Sequence, residues 1–305
     1  MTEKRRKVRI GAMAGAALFA ASLAAPMTAQ AATATCGRAC LTGVMDRYLA
    51  AATGQRFAAI PVGRGLNARE NAVATPLGDG VWKTLSRVRA GWTFTDPTAG
   101  QVAFAGAFDN RQGGLTPLLV RLKVQGGRIT ESEIAYNVTP GRYFHPEELL
   151  EPDILYTTPV PPGRRASRAE LIAVGQAYMD GIAAHSGAKV PTSSRCDKYY
   201  LGGKVTNNGP TSVGDCVSSF NGIRADPPAD RRTPVVDVEN GVVLVTFLMP
   251  NAYKDKPDST FEMELIKVVD GKIRSVEEFG NVAAYPPSSG FGSDARPDAT
   301  TRTGR

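Results

Sequence analysis

The chain has 305 residues, enough for two ordinary domains with cores of their own. Its formal net charge is +7, but five basic residues and one acidic residue lie in the first 31, and without them the balance falls to +3. That small excess, with no Lys/Arg cluster interleaved with aromatics, excludes a nucleic-acid footprint.

The N-terminus has the layout of a secretory signal peptide. Lys4, Arg5, Arg6, Lys7 and Arg9 form a basic region, Ile10 to Ala25 is an apolar stretch rich in small residues, and Ala29-Gln30-Ala31 is a cleavage site of the A-x-A kind. Residues 1–31 are therefore expected to be removed, leaving a secreted, extracellular chain from Ala32. The alternative, an uncleaved anchor, has a core short for a span, and no later apolar run could cross a bilayer. Arg5-Arg6 suits the twin-arginine route, but Arg9 stands where that signal wants an apolar residue.

Four cysteines remain: Cys36, Cys40, Cys196 and Cys216. An even number in an exported chain favours disulfides. Three pairings are possible. Cys36–Cys40 with Cys196–Cys216 is expected, because each pair then stays within one repeat. Zinc is the alternative, but there is no C-x-x-C pair and no nearby His. No cofactor is called for.

Leu41, Val44, Met45, Tyr48, Leu49 and Ala52 make one apolar stripe, which predicts a helix over Ala39–Thr53. Arg64–Ala74 reads as extended and Gly78–Arg89 as a short second helix. Trp92–Thr95, Gln101–Asp109, Leu118–Gln125 and Arg128–Asn137 read as strands. Pro140 to Arg165 carries six prolines and is expected to be a semi-rigid connector. Ser167-Arg168-Ala169-Glu170 is a capping box in front of a second stripe, Leu171, Val174, Tyr178, Met179 and Ile182. Pro286–Arg305 has the composition of a disordered tail.

The chain repeats itself. Leu119–Asn137 recurs as Met263–Asn281 at an offset of 144, each copy with a two-residue hairpin turn at Gly126-Gly127 or Asp270-Gly271. The helix stripes match at 130, and Asp96…Gly100 matches Asp237…Gly241 at 141. Three ordered matches indicate a tandem duplication. The expected fold class is α+β: a first repeat over 36–139, a connector over 140–166, and a second repeat over 167–285. Each repeat would pack helices on a curved antiparallel sheet.

That element order, with the closing strand Asp270-Gly-Lys-Ile-Arg-Ser-Val-Glu277, resembles the cone-shaped fold of nuclear transport factor 2, ketosteroid isomerases and polyketide cyclases. Over almost the whole mature chain there is also a resemblance to a secreted, largely uncharacterised domain family of fungi and actinobacteria. It is carried by the Cys-flanked first helix, Arg69-Glu70-Asn71, Gly78-Asp79-Gly80-Val81-Trp82, Arg121-Leu-Lys-Val124 and Ile129-Thr-Glu-Ser-Glu133. Ser167-Arg168-Ala169-Glu170-Leu171 and Arg231-Arg232-Thr-Pro-Val-Val-Asp237 complete it. Thr206-Asn207-Asn208 departs from the Glu-Asn pair expected there. The resemblance implies secretion and the fold, and no mechanism.

With the turn fixed, the pairing is fixed: Glu133 opposes Val120 and Glu277 opposes Glu264, each expected on the apolar face of its sheet. Burial and a like neighbour raise a carboxyl pKa, so Glu133 and Glu277 are the candidate acid/base residues. A structural ion pair with Arg121, Arg231 or Arg232 is the competing account. Tyr48, Trp82, Glu131, Tyr178 and Glu264 are the candidate ligand-binding residues; Trp92 is a pocket wall or core. Neither His145 nor His185 sits in a nucleophile pattern, and no phosphate loop, G-x-S-x-G or H-E-x-x-H occurs. Three functions fit: a secreted binder of a small organic molecule, a cofactor-free isomerase, cyclase or lyase, and a structural or interaction module whose sheets pack face to face. Neither nucleic acid nor, after cleavage, a membrane is an expected partner.

Overall fold

A computed structural model of the chain describes residues 36–209, 214–223, 225–252, 259–283 and 288–292. The expected signal peptide lies outside these residues. The first unit opens with helix α1 (Arg38–Thr53), whose expected stripe from Leu41 to Ala52 is buried. It continues through β1 (Val62–Glu70), β2 (Val73–Ala74), β3 (Leu85–Asp96), β4 (Gln101–Asn110), β5 (Leu115–Gln125) and β6 (Arg128–Tyr136). The second unit repeats this as α2 (Arg168–Ala183), β7 (Thr192–Tyr200), β8 (Gly203–Lys204), β9 (Ala229–Asp237), β10 (Val242–Met249), β11 (Ser259–Val269) and β12 (Lys272–Ala283). The sheet orders are β2-β1-β6-β5-β4-β3 and β8-β7-β12-β11-β10-β9. In each the first strand runs parallel to the last and all other neighbours are antiparallel. The fold is thus α+β, two tandem units with mixed six-stranded sheets and few helices.

The capping box at α2 forms as expected, Ser167 accepting from the Glu170 N–H and Glu170 from the Ser167 N–H. Both expected disulfides are present, Cys36–Cys40 and Cys196–Cys216. The helix expected over Gly78–Arg89 is a single turn at Gly80–Lys83, after which β3 begins at Leu85. Strand pairing wins because Arg87 and Arg89 both reach Asp109 on the neighbouring β4.

Three apolar layers result. One lies between α1 and its sheet, with Tyr48, Trp82, Phe104 and Phe108. One lies between α2 and its sheet, with Tyr178, Phe220 and Phe247. The third joins the two sheets face to face through Trp92, Phe94, Leu119, Met263, Leu265 and Phe279. The repeated aspartates tie the units reciprocally. Asp96 accepts from Arg168 at the start of α2 and from the Val236 N–H; Asp237 accepts from Arg38 at the start of α1 and from the Thr95 N–H. A charge-assisted bond crosses in each direction.

Two expectations about linking segments are corrected. The proline-rich connector is no free spacer: Phe144 bridges to Gly202, Tyr156 is buried with its hydroxyl on Ser275, and Arg164 grips Asp270. Apolar residues between the prolines dock it. Within the tail, Ser288–Gly292 is placed rather than disordered. Ser289 is fully buried with its N–H on Asp230, and the Phe291 ring lies over both Arg121 and Arg232.

Candidate functional site

Both hairpin turns form as read, with positive φ at Gly126 and Gly127 and at Asp270 and Gly271. Beyond the first pairs, Val124↔Ile129 and Val268↔Ile273, each return strand inserts one extra residue, Thr130 or Arg274. A one-residue insertion exchanges the faces of everything that follows. Glu133 therefore opposes Arg121, not Val120, and Glu277 opposes Leu265, not Glu264. Both candidate acid/base residues point into the layer between the sheets, away from the helices.

Their environments differ. Glu133 is fully buried and clamped, with Arg121 Nε at 2.8 Å and Arg232 Nη1 and Nη2 at 3.0 and 2.5 Å. Burial opposes its ionisation, but Arg232 and Arg121 overcome this and hold its pKa below the ordinary carboxylate value. It is a structural ion pair, the competing account. Glu131 joins it at the edge through Arg121 and Lys123. Glu277 accepts from the Gly202 N–H, and burial, reinforced by Glu278 and Asp153, pushes it up to about 8. It borders a cavity of ≈ 490 Å³ walled by the connector's His145, Leu149 and Tyr156 together with Tyr199.

The helix-covered face of the first unit is closed. Tyr48 shares a hydrogen with Ser132 Oγ at 3.0 Å and accepts from Trp82 Nε1 at 3.2 Å. Beside them remains a void of ≈ 10 Å³. In Arg69-Glu70-Asn71 the carboxylate turns inward, where Glu70 accepts the Val81 N–H and burial raises its pKa to about 7.

The same face of the second unit is open. A cavity of ≈ 480 Å³ is lined by Lys198, Tyr200, Ile223, Met249, Glu262 and Glu278, among others. Tyr178 and Glu264, two of the candidate residues, come together behind it, the phenol donating to Glu264 Oε2 at 2.6 Å. Lys198 Nζ reaches Glu278 at 2.5 Å, Tyr178 Oη at 3.0 Å and Glu264 at 3.5 Å. Burial lowers the lysine's pKa, but Glu264 and Glu278 more than reverse this and raise it well above normal. Glu264 moves the other way from an ordinary carboxylate, to about 7, because burial and Glu278 outweigh Lys198. Glu262 is 4 % exposed, and among the described residues neither its Oε2 nor the hydroxyl of neighbouring Thr260 has a hydrogen-bond partner. Burial, then Glu278 and Glu264, raise the Glu262 pKa well above normal. Gly280, opposite on β12, makes room for this carboxylate, since a Cβ there would fall on it.

Lys198, Glu262 and Glu278 were not singled out from the sequence. The repeat carries the signal that finds them. At the matched positions the first copy has Ala68, Leu118 and Ile134, and Val120 stands where the second has Glu264. Four apolar positions of one copy are charged in the other.

Residues 164–280, the second unit, match a domain of unknown function, DUF8021. The chain is thus similar over that stretch to an uncharacterised domain family. Among solved structures, a crystal structure of a protein from Kribbella flavida DSM 17836 is 21% identical, covering 32% of this chain and 87% of that one with a TM-score of 0.27. No curated protein matches.

Proposed function

We propose that this is an exported protein of two tandem cone-shaped units, in which the second binds a small organic molecule in its helix-side cavity and the first is a closed support. The observation that carries this is a buried Glu262 oxygen without a partner, at the wall of a ≈ 480 Å³ cavity. A buried carboxylate left unsatisfied is costly, and such groups are kept where something else meets them. Export is supported by the two disulfides. Among the described residues no helix is long and apolar enough to cross a membrane.

Catalysis is the second reading, because Glu264 with a pKa near 7 and a phenol donor is suited to proton transfer. Binding is favoured over it because neither Glu264 nor Tyr178 lines the cavity. The test exposes the wild-type chain and a Gly222→Trp variant to culture extract of the host and reads retained compounds by native mass spectrometry. Gly222 lines the cavity and, among the described residues, nothing lies within 4 Å of where a side chain would start, so an indole is introduced there to plug the space. The wild type should retain a compound that the plugged variant does not. Equal retention, or none, rejects the cavity as the site; a compound altered by the wild type alone makes it an enzyme.

A further inference from the structure

We infer that the occupant of the second unit's cavity carries an ammonium group, held by Glu262, on an apolar body. This rests on reading that cavity as a binding site. Hydrogen-bond supply and demand around it are unequal. Lys198, the one cation among the described lining residues, is already committed to Glu278, Glu264 and Tyr178. Its three donors are used, so no charged donor remains for an anionic ligand. Asn137 Nδ2 is likewise taken up by the Tyr200 hydroxyl and the Gly280 carbonyl. What stand unsatisfied among the described residues are Glu262 Oε2, on a side chain more than nine-tenths buried, and the Thr260 hydroxyl beside it, a neutral group that can donate or accept.

Charge points the same way. Glu262, Glu264 and Glu278 surround Lys198, three carboxylates to one ammonium among the described residues. An incoming ammonium takes the place of the proton that burial holds on this cluster, whereas an anion would add a like charge in a poorly solvated site. The rest of the wall fixes the body of the ligand. Val205, Ile223, Ala225 and Met249 are apolar, and Tyr143 and Tyr200 add aromatic surface. A primary arylalkyl or alkyl ammonium satisfies both halves of the site.

The test uses three molecules of one shape and different charge: phenethylamine, 2-phenylethanol and phenylacetate. Each is titrated into the full chain by calorimetry at pH 7.5, with wild type and Glu262→Gln. The amine should bind at least about ten-fold more tightly than the alcohol, as expected for a charge-assisted bond replacing a neutral one. Phenylacetate should bind most weakly. Glu262→Gln should lower amine affinity by about ten-fold or more and leave alcohol affinity within about two-fold. The amide keeps the shape of the side chain, and an unchanged melting temperature or a higher one shows that the variant folds. If the alcohol or the acid binds as tightly as the amine, or Glu262→Gln leaves the amine unaffected, the ammonium assignment is overturned while the binding site stands. If none of the three binds, the assignment falls and the reading of the cavity as a small-molecule site falls with it.

Discussion

The first unit covers its helix-side sheet with Ala68, Leu118, Val120 and Ile134; the second sets Lys198, Glu262, Glu264 and Glu278 at the same repeat positions. The helices, the strand orders and the closing hairpins are alike. One face is therefore closed by its core, and the other keeps a charged cavity beside its core, on one scaffold. Function here is a matter of side chains placed on a duplicated frame, which is why fold alone does not assign it. The closed unit holds the open one in place, through the sheet-to-sheet layer and the two crossed aspartate–arginine bonds.

The sharpest way to break the comparison is at Glu133 and Glu277, which match at the repeat offset but meet opposite surroundings. Glu133 neutralises two buried arginines. Glu133→Gln leaves Arg121 with Glu131 and takes from Arg232 the carboxylate that grips both its Nη atoms, and should cost about 3–5 kcal/mol. Glu277→Gln removes no ion pair, and the amide oxygen can still accept from the Gly202 N–H. Urea denaturation of both variants at pH 8 should show a large loss for the first and none for the second. A loss of less than about 1 kcal/mol for Glu133→Gln would refute the clamp, because such a value is typical of exposed pairs.

The units can also be made alike. Lys198→Ala, Glu262→Leu, Glu264→Val and Glu278→Ile together give the second unit the first unit's wall. Replacing buried ionic groups by apolar ones is often stabilising by about 1–4 kcal/mol. The fourfold variant should unfold at higher urea than the wild type and should retain no ligand. If it instead unfolds earlier, the charged cluster stabilises the fold, and its claim to be kept for a ligand weakens.

The architecture was legible in the sequence because duplication leaves the same apolar spacing twice. The stripes from Leu41 and Leu171, the capping box at Ser167 and the Gly-containing turns each follow from local chemistry. The faces of the return strands did not follow, because the extra residue in each is a feature of pairing. Its trace is a phase slip. Ile129 and Ile134 lie five residues apart and Ile273 and Val276 three apart, yet each pair is buried on the helix side of one strand. An odd spacing cannot keep one face in a regular strand. The cavity residues were legible only as differences between copies. Glu262 and Lys198 look like ordinary solvated charges until they are set beside their apolar partners in the first copy, Leu118 and Ala68. The docking of Ser288–Gly292, with Ser289 buried, had no signal, since a short segment rich in serine and glycine reads as tail.

The same contrast has a pH signature. Burial raises the folded-state pKa of Glu277 to about 8 and that of Glu264 to about 7. A carboxyl with a raised folded pKa binds its proton more tightly in the folded state. Its contribution to stability is complete below the unfolded value near 4.5 and is lost as pH rises to the folded one. The wild type should therefore lose stability between about pH 5 and 8, by on the order of a few kcal/mol. Glu277→Gln should flatten that slope. Glu133, whose folded pKa is lowered, adds nothing to it, because its contribution is lost only as pH falls through the acid range. Melting temperatures across pH 5–8 for wild type and Glu277→Gln decide the matter: parallel curves would mean that Glu277 is not buried as a neutral acid.

The smallest effect should come from what covers these two carboxylates. The connector lies over Glu277, and Phe291 lies over Arg121 and Arg232 at 4.7 and 5.0 Å from ring centroid to guanidinium carbon. The tail segment is held from both units, by Asn67 on the Gly290 carbonyl and Asp230 on the Ser289 N–H. Phe291→Ala should cost about 1–2 kcal/mol, two cation–π contacts at a partly exposed site. It should also let salt reach the Arg121–Glu133–Arg232 cluster, so that the variant loses stability between low and high ionic strength more steeply than the wild type. Stability that is lost without added salt sensitivity would mean that the ring contributes packing alone. An unchanged denaturation midpoint at every salt concentration would remove Phe291 as a cover, and the clamp on Glu133 would then stand on its arginines unaided.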